Sequence, residues 1–201
     1  MGKELEYKLA VTDEEMLSNI LSDAHIAALS TGTFQQTRMK TTYFDTPDRR
    51  FSAQRFTLRR RYENDESVVC LKTPLKESHA RGEWQIHAER IDDSTIARLL
   101  EQGAPTELFA LYAGRSIIPV CGAEFLRKHV VLQFPDGSRA ELAGDHGTLH
   151  GENEVLHFIE LELELLEGDK DEMLALVSYL CSKYSLQEQP LSKYARARQL
   201  K

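Results

Sequence analysis

Segment after segment of this chain alternates between an apolar residue and a charged one, and no other property narrows its possible folds as far. Residues two apart on a strand share a face, so each such segment is a strand with one greasy side and one ionic side. Residues 55–61 place Arg55, Thr57, Arg59 and Arg61 on one face, with Phe56 and Leu58 opposite. In 69–73, Leu71 and Lys72 face apart. Residues 83–89 set Glu83, Gln85, His87 and Glu89 against Trp84, Ile86 and Ala88. Residues 127–133 give Arg127, His129 and Gln133 against Val130, Leu132 and Phe134, and 139–145 give Arg139, Glu141 and Asp145 against Ala140 and Leu142. Residues 157–166 set Glu160, Glu162 and Glu164 against Ile159, Leu161, Leu163 and Leu165.

One such strand by itself marks an ordinary solvated sheet face. A whole set of them poses a sharper question, because the apolar faces must be covered by something and the charged faces must then meet water or each other. In an open sheet the charges would be dispensable. In a closed barrel they would line a lumen, where they must be compensated by one another or by a ligand. The set is rich in arginine, whose planar fork suits phosphate or carboxylate, and small antiparallel barrels commonly enclose ligand sites. The lumen is therefore the favoured reading.

The first strand, Glu4-Leu5-Glu6-Tyr7-Lys8, sharpens it further. Glu4, Glu6 and Lys8 share a face, and two carboxylates beside an ammonium can hold a divalent cation and a polyanion together, since hard cations prefer oxygen ligands.

Between the strands the sequence places helices and turns. Thr12-Asp13-Glu14-Glu15 reads as a capping box with Thr12 as N-cap, opening an amphipathic helix over 13–24. Residues 40–46 read as a strand ending in the turn Thr46-Pro47-Asp48, and 54–63 and 67–73 as a hairpin around Asn64-Asp65. A charged loop over 74–82 follows. Asp92, Asp93 and Ser94 cap a helix that stops at Gly103, and a short helix follows Pro105. Pro135-Asp136-Gly137 joins strands over 125–134 and 138–145, and Gly168-Asp169 opens a helix carrying Met173, Leu174, Val177, Leu180 and Cys181. Strand and helix do not alternate regularly, so the expected class is α+β, mainly antiparallel: an eight-stranded tunnel with helices packed outside it. No repeat or linker divides the 201 residues, which read as one domain.

Composition limits the partners. A net charge of −7 argues against a general nucleic-acid binder, though a local cluster of cations can sit in an acidic protein. Three widely spaced cysteines without zinc-type spacing read as reduced and mostly buried. The start is charged from Lys3 onward, and no apolar run suits a signal peptide or a membrane span, so a cytoplasmic protein is expected.

The ordered series Glu4-x-Glu6-x-Lys8, Tyr43-Phe44-Asp45-Thr46-Pro47, Leu58-Arg59-Arg60-Arg61, Lys72, Arg81-Gly82-Glu83, Arg127, Glu141 with Asp145-x-Gly147, Glu160-x-Glu162-x-Glu164 and Ser192-Lys193 resembles the CYTH superfamily of triphosphate tunnel metalloenzymes. Among its branches the bacterial inorganic triphosphatases are the most similar. The resemblance implies a tunnel in which cations grip a linear triphosphate and carboxylates hold magnesium or manganese. Carried over by position, Lys8, Arg59, Arg61, Lys72, Arg81, Arg127 and Lys193 would bind phosphate. Glu4, Glu6, Asp145, Glu160 and Glu162 would serve Mg2+ or Mn2+, with Glu4, Glu6 and Lys8 at the catalytic centre. The reaction implied is hydrolysis of tripolyphosphate to pyrophosphate and phosphate by a metal-activated water. Gln85 stands where many relatives have a carboxylate, and His129 where many have Lys or Arg. Glu164 shares the face of Glu160 and Glu162 and competes with them as a ligand.

Several signals are set aside. Arg60 faces opposite to Arg59 and Arg61, so the arginine run is not a nucleic-acid patch. Trp84 belongs to core packing rather than to a stacking platform, and Asp145-His146-Gly147 reads as a turn with Asp145 inward. The seven histidines show no metal-ligand spacing. Thiamine- or nucleoside-triphosphatase and class IV-type adenylate cyclase share the tunnel and remain rival enzymes. A polyphosphate-binding module is the non-enzyme rival, but it has no need for so many carboxylates near its ligand. Every residue placed inside the tunnel by parity is charged, hydroxylic or small, which favours free tripolyphosphate over a nucleotide.

Overall fold

The computed structural model describes residues 2–76 and 79–200, and for Gly2 and Lys3 the backbone alone. Glu77 and Ser78 of the expected 74–82 loop, and Lys201 of the tail, lie outside the described residues. The element order is β1 (Gly2–Ala10), α1 (Glu14–Leu21), α2 (Ala24–Leu29), β2 (Gln35–Asp45), α3 (Arg50–Ala53), β3 (Thr57–Glu63), β4 (Glu66–Pro74), β5 (Ala80–His87), α4 (Asp93–Glu101) and α5 (Glu107–Tyr112). The long strands β6 (Ile118–Gln133), β7 (Arg139–His150) and β8 (Val155–Glu167) follow, then α6 (Asp171–Tyr184), a two-residue β9 (Gln187–Glu188) and α7 (Lys193–Ala197).

Eight strands form one antiparallel sheet in the order β5-β4-β3-β2-β6-β7-β8-β1, and β5 returns to pair with β1, closing a barrel. The first strand makes the closure. Its first half pairs with β5, Glu4 opposite Arg81, while Glu6–Ala10 pairs with β8, setting Glu6 opposite Glu164 and Lys8 opposite Glu162. β9 adds a short pairing beyond Leu9 and Ala10.

The outward apolar faces are covered on two sides. Leu9, Val130, Leu132, Ala140, Leu142, Leu161 and Leu163 pack under α1, α2 and α6. Leu58, Val69, Leu71, Trp84 and Ile86 pack under α3, α4 and α5. Trp84 thus lies in a core, as its parity requires. A third cluster is inside the barrel: Met39, Tyr43, Cys121, Ala123, Phe125, Leu149 and Phe158, joined by Ala197 of α7. It corrects the expectation that all large apolar residues point outward. The inward register of β6 runs Cys121, Ala123, Phe125, Arg127, His129, so the same face that is ionic at one end is apolar at the other.

Local chemistry accounts for several elements. Asp45, 1% exposed, accepts the backbone N–H groups of Thr46 (2.8 Å), Phe51 (3.0 Å) and Ser52 (3.1 Å), and Thr46 Oγ1 accepts from Arg50 N (2.9 Å). The Asp-Thr-Pro segment is therefore a scaffold for α3 rather than part of the tunnel lining. Helix α1 starts one residue later than expected. Asp13, not Thr12, is the N-cap, accepting from Met16 N at 2.8 Å, while the Thr12 hydroxyl donates to the Asp13 carboxylate. The chain also breaks at Ser22 and restarts as α2 under the Asp23 cap, so the expected 13–24 helix is two helices.

Several strand limits differ from the sequence expectation, among them β5, which begins at Ala80 inside the expected 74–82 loop, and β8, which begins at Val155 rather than 157. β2 begins at Gln35 rather than 40, β3 begins at Thr57 rather than 54, β6 begins at Ile118 rather than 125, and β7 runs unbroken to His150. Asp145-His146-Gly147 is therefore strand, not turn. Asp145 does point inward and is fully buried. The strand must carry glycine at 147, where a Cβ would stand 2.1 Å from the Glu124 carbonyl oxygen and 2.5 Å from Phe125 Cα.

Candidate active site in the barrel lumen

The lumen is a cavity of about 850 Å³ lined by many ionic residues, with Met39, Tyr43 and Phe125 at its apolar end. On one wall, β3, β4 and β5 bring Arg59, Arg61, Lys72, Arg81 and Glu83 together with Glu4 of β1. Lys72 Nζ lies 2.5 and 2.6 Å from the two Glu4 oxygens and 3.7 Å from Glu83. Arg59 reaches Glu83 at 3.5 Å, and the Cys70 thiol donates to the same carboxylate at 2.9 Å. Arg61 pairs with Glu63. Arg81 stands nearer the rim, its guanidinium donating to the carbonyls of Thr73 and Arg55 (3.1 Å each). Arg60 faces outward over the Tyr62 and Phe44 rings, as its parity requires.

The opposite wall is built from β6, β7, β8 and α7. Arg127 forms a bidentate pair with Asp145 (2.8 and 2.7 Å), and it also reaches Glu162 and, at 3.7 Å, Glu141. His129 bridges Glu141 (3.0 Å) and Thr37 (3.3 Å). From α7, Lys193 enters the centre of Asp145, Glu160 and Glu162, and Arg196 pairs with Glu160. Ser192 caps this helix through Ala195 N (3.1 Å), which aims Lys193 inward.

Burial shapes the charge states. It pushes Glu6 up to about 8, helped by the neighbouring Glu162, to which protonated Glu6 donates a hydrogen bond. It pushes Glu164 up to about 7, with Glu4 adding to the effect. Burial works the same way on Glu83, but Lys72 and Arg59 outweigh it and hold that carboxyl at about 2. Burial alone would lower Lys193, yet Asp145, Glu160 and Glu162 hold its ammonium well above the usual lysine range. Most of the inward cations are thus already paired with carboxylates, and Glu6 has only the looser contact with Lys8. Lys8, 3.6 Å from Glu6, is the loosest of the inward lysines.

The donor set fits a hard divalent ion. Asp145, Glu160 and Glu162 each present an oxygen within 4.8 Å of the others, all three buried, and a lysine ammonium stands among them as a surrogate cation. Carboxylate oxygens of this kind suit Mg2+ or Mn2+. Glu6 adjoins through Glu162, whereas Glu4 lies on the other wall with Lys72. The Nε atoms of Arg59 and Arg61 are buried without a partner, leaving donors on the wall that faces the carboxylates.

All the residues expected to bind phosphate border this lumen, as do Glu4, Glu6 and Glu162, whereas Asp145 and Glu160 are fully buried in contact with Arg127 and Lys193. Sequence reasoning gave no site role to Glu141, Glu83, Glu63, Cys70 or Arg196. Parity places Cys70 on the face of Lys72, and the three-residue spacing of Lys193 and Arg196 places both on one helix face. At the aromatic floor Phe125 and Phe158 meet at 5.8 Å and Tyr43 and Tyr194 at 5.1 Å. Among the described residues no helix is long and apolar enough to cross a membrane.

Comparison with known proteins gives a consistent pattern. A CYTH domain model matches residues 2–197. An inorganic triphosphatase of Haemophilus influenzae is 26% identical over 190 residues, covering 90% of this chain and 50% of that protein, so the chain spans about half the length of this relative. Among solved structures, a Hippeastrum protein studied as an adenylyl cyclase, and reported to reveal a dominant triphosphatase activity, superposes with a TM-score of 0.63 at 16% identity, covering 98% of this chain and 96% of that one. A Pyrococcus horikoshii protein gives 0.56 at 17% identity, with coverage of 96% and 97%. At these identities the structural likeness speaks for the fold.

Proposed function

The chain belongs to the CYTH domain family, and from that premise we propose that it hydrolyses inorganic tripolyphosphate to pyrophosphate and phosphate with Mg2+ or Mn2+. The observation that carries this reading is the lumen itself, where inward arginines and lysines alternate with inward carboxylates on both walls. A phosphate-binding site without metal has no use for buried carboxylates, which repel the ligand and cost desolvation. A site for a metal-bound polyphosphate needs both. The relative from Haemophilus influenzae, an inorganic triphosphatase, points the same way.

In this account Arg59, Arg61, Lys72 and Arg127 bind the phosphate oxygens, Lys8 and Lys193 complete the grip, and Arg81 meets the chain nearer the rim. Asp145, Glu160 and Glu162 would hold the metal as a buried trio with Glu6 adjoining, and Glu4 would serve it from the opposite wall. When bound, the metal neutralises phosphate charge and lowers the pKa of a coordinated water. The residues themselves would position the phosphates and stabilise their charge, which is the main requirement of phosphoryl transfer. The grip in this reading is on phosphate oxygens, so a nucleoside would add little to it.

Phosphate release from tripolyphosphate, followed as Mg2+ is titrated into chelator-treated protein, tests the reading. One phosphate and one pyrophosphate per substrate, appearing only with metal, is the expected result. Binding without turnover at any metal concentration would instead make the protein a polyphosphate-binding module.

A further inference from the structure

The Lys193 ammonium occupies the place where an ion would sit. It lies 2.7 Å from Asp145 and 2.7 Å from Glu162, is in direct contact with Glu160, and only 9% of its side chain is exposed. The rings of Phe125 and Phe158, 4.8 and 5.3 Å away, close its other side, leaving the lumen as its open direction. Oxygens within 4.8 Å of one another around a single centre have room for one cation. A divalent ion at about 2.1 Å from such oxygens would stand almost on the ammonium nitrogen, and two unshielded cations at that separation repel strongly.

We infer that Lys193 is the resident counter-ion of this trio, and that a divalent ion entering it expels the ammonium into the lumen, where it becomes a phosphate ligand. The inference rests on the metal-dependent reading above. It assigns one residue two successive partners and an order to loading: metal first, which releases the lysine, and polyphosphate second. The same lysine restrains metal binding while no substrate is present, because the ion must break three charge-assisted contacts to enter.

The test is Mn2+ affinity without substrate, read by electron paramagnetic resonance on wild-type protein, Lys193→Met and Arg196→Met. Both variants lose one positive charge beside Glu160, but only Lys193 fills the centre. Lys193→Met is expected to bind Mn2+ about tenfold more tightly than wild type, and Arg196→Met to change far less, since removing an occupant differs from removing a neighbour. Equal tightening in both variants, or no change in either, overturns the inference while leaving the metal reading standing. Absence of Mn2+ binding in all three proteins overturns both.

A second measurement uses wild-type protein alone and so does not depend on the folding of a variant. Acetylation of Lys193 by acetic anhydride, quantified by mass spectrometry, should accelerate several-fold when Mg2+ is added, because an expelled ammonium loses its carboxylate partners. A rate that stays constant or falls with Mg2+ contradicts the expulsion.

Discussion

Glu6 stands beside Glu162 and directly across the ladder from Glu164, and burial leaves it the least compensated carboxyl of the first strand. It holds its proton up to about 8 in the folded metal-free protein, against 4.5 for an ordinary glutamate. Between these values the folded state binds more protons than the unfolded one. Stability from this group is therefore fully present below about 4.5 and is lost as pH rises toward about 8. Glu164 adds the same trend up to about 7. The melting temperature of metal-free protein should fall as pH rises across this window, and Glu6→Gln, which cannot ionise, should flatten the fall. An identical slope in the variant would show that Glu6 is not titrating there. The same variant should lose turnover at low metal while keeping its fold, because this face is not packing core.

The arginines of β3 make a second residue-scale test. Arg59 and Arg61 line the lumen, while Arg60 lies outside on Tyr62 and Phe44. Charge-assisted contacts are worth about 1.5–3 kcal/mol each, so Arg59→Ala or Arg61→Ala should lower kcat/KM by roughly one to two orders of magnitude. Arg60→Ala should leave it nearly unchanged. Equal losses at Arg60 and Arg61 would mean that the lumen-facing register is not the one that binds substrate.

At the scale of elements, the strands explain which parts of the fold could be read in the sequence. Wherever a strand is ionic on one side and apolar on the other, period-two reading gave its facing, as in β1, β3, β5 and the middle of β8. It failed where both faces are apolar. The Ile118–Phe125 half of β6 flanks the inner floor of Phe125, Leu149 and Phe158, so charge alternation disappears and the strand reads as shorter than it is. The cap of α1 was misplaced by one residue because Thr12 and Asp13 are both competent, and the carboxylate accepts the Met16 N–H. The company of Lys193 was illegible for a different reason. A short terminal helix carries little pattern, and only the folded chain shows three carboxylates around one ammonium.

Gly147 offers the test at this scale. Its motif was visible from resemblance, whereas its reason is the close approach of β6 to β7. Gly147→Ala forces backbone apart at a buried ladder, and overpacking of this kind costs typically about 1–3 kcal/mol. Chemical denaturation should show a loss of that size with an unchanged m-value, and the floor around Phe125 should loosen with it. A variant as stable as wild type would mean that the two strands yield freely at this point.

As a whole, the molecule is an acidic protein, net charge −7, that turns Lys8, Arg59, Arg61, Lys72, Arg127 and Lys193 toward carboxylates inside a closed barrel. The helices cover the outside, and the aromatic floor with α7 narrows the lumen at one end. Substrate selection then depends on what the lumen walls can contact, and those walls above the floor are ionic. The most direct measurement is kcat/KM for tripolyphosphate and for ATP at saturating Mg2+, each repeated in excess chelator. The account predicts a higher value for tripolyphosphate and loss of both activities without metal. An ATP value equal to or above that for tripolyphosphate, turnover that survives the chelator, or cyclic AMP and pyrophosphate as products would contradict it.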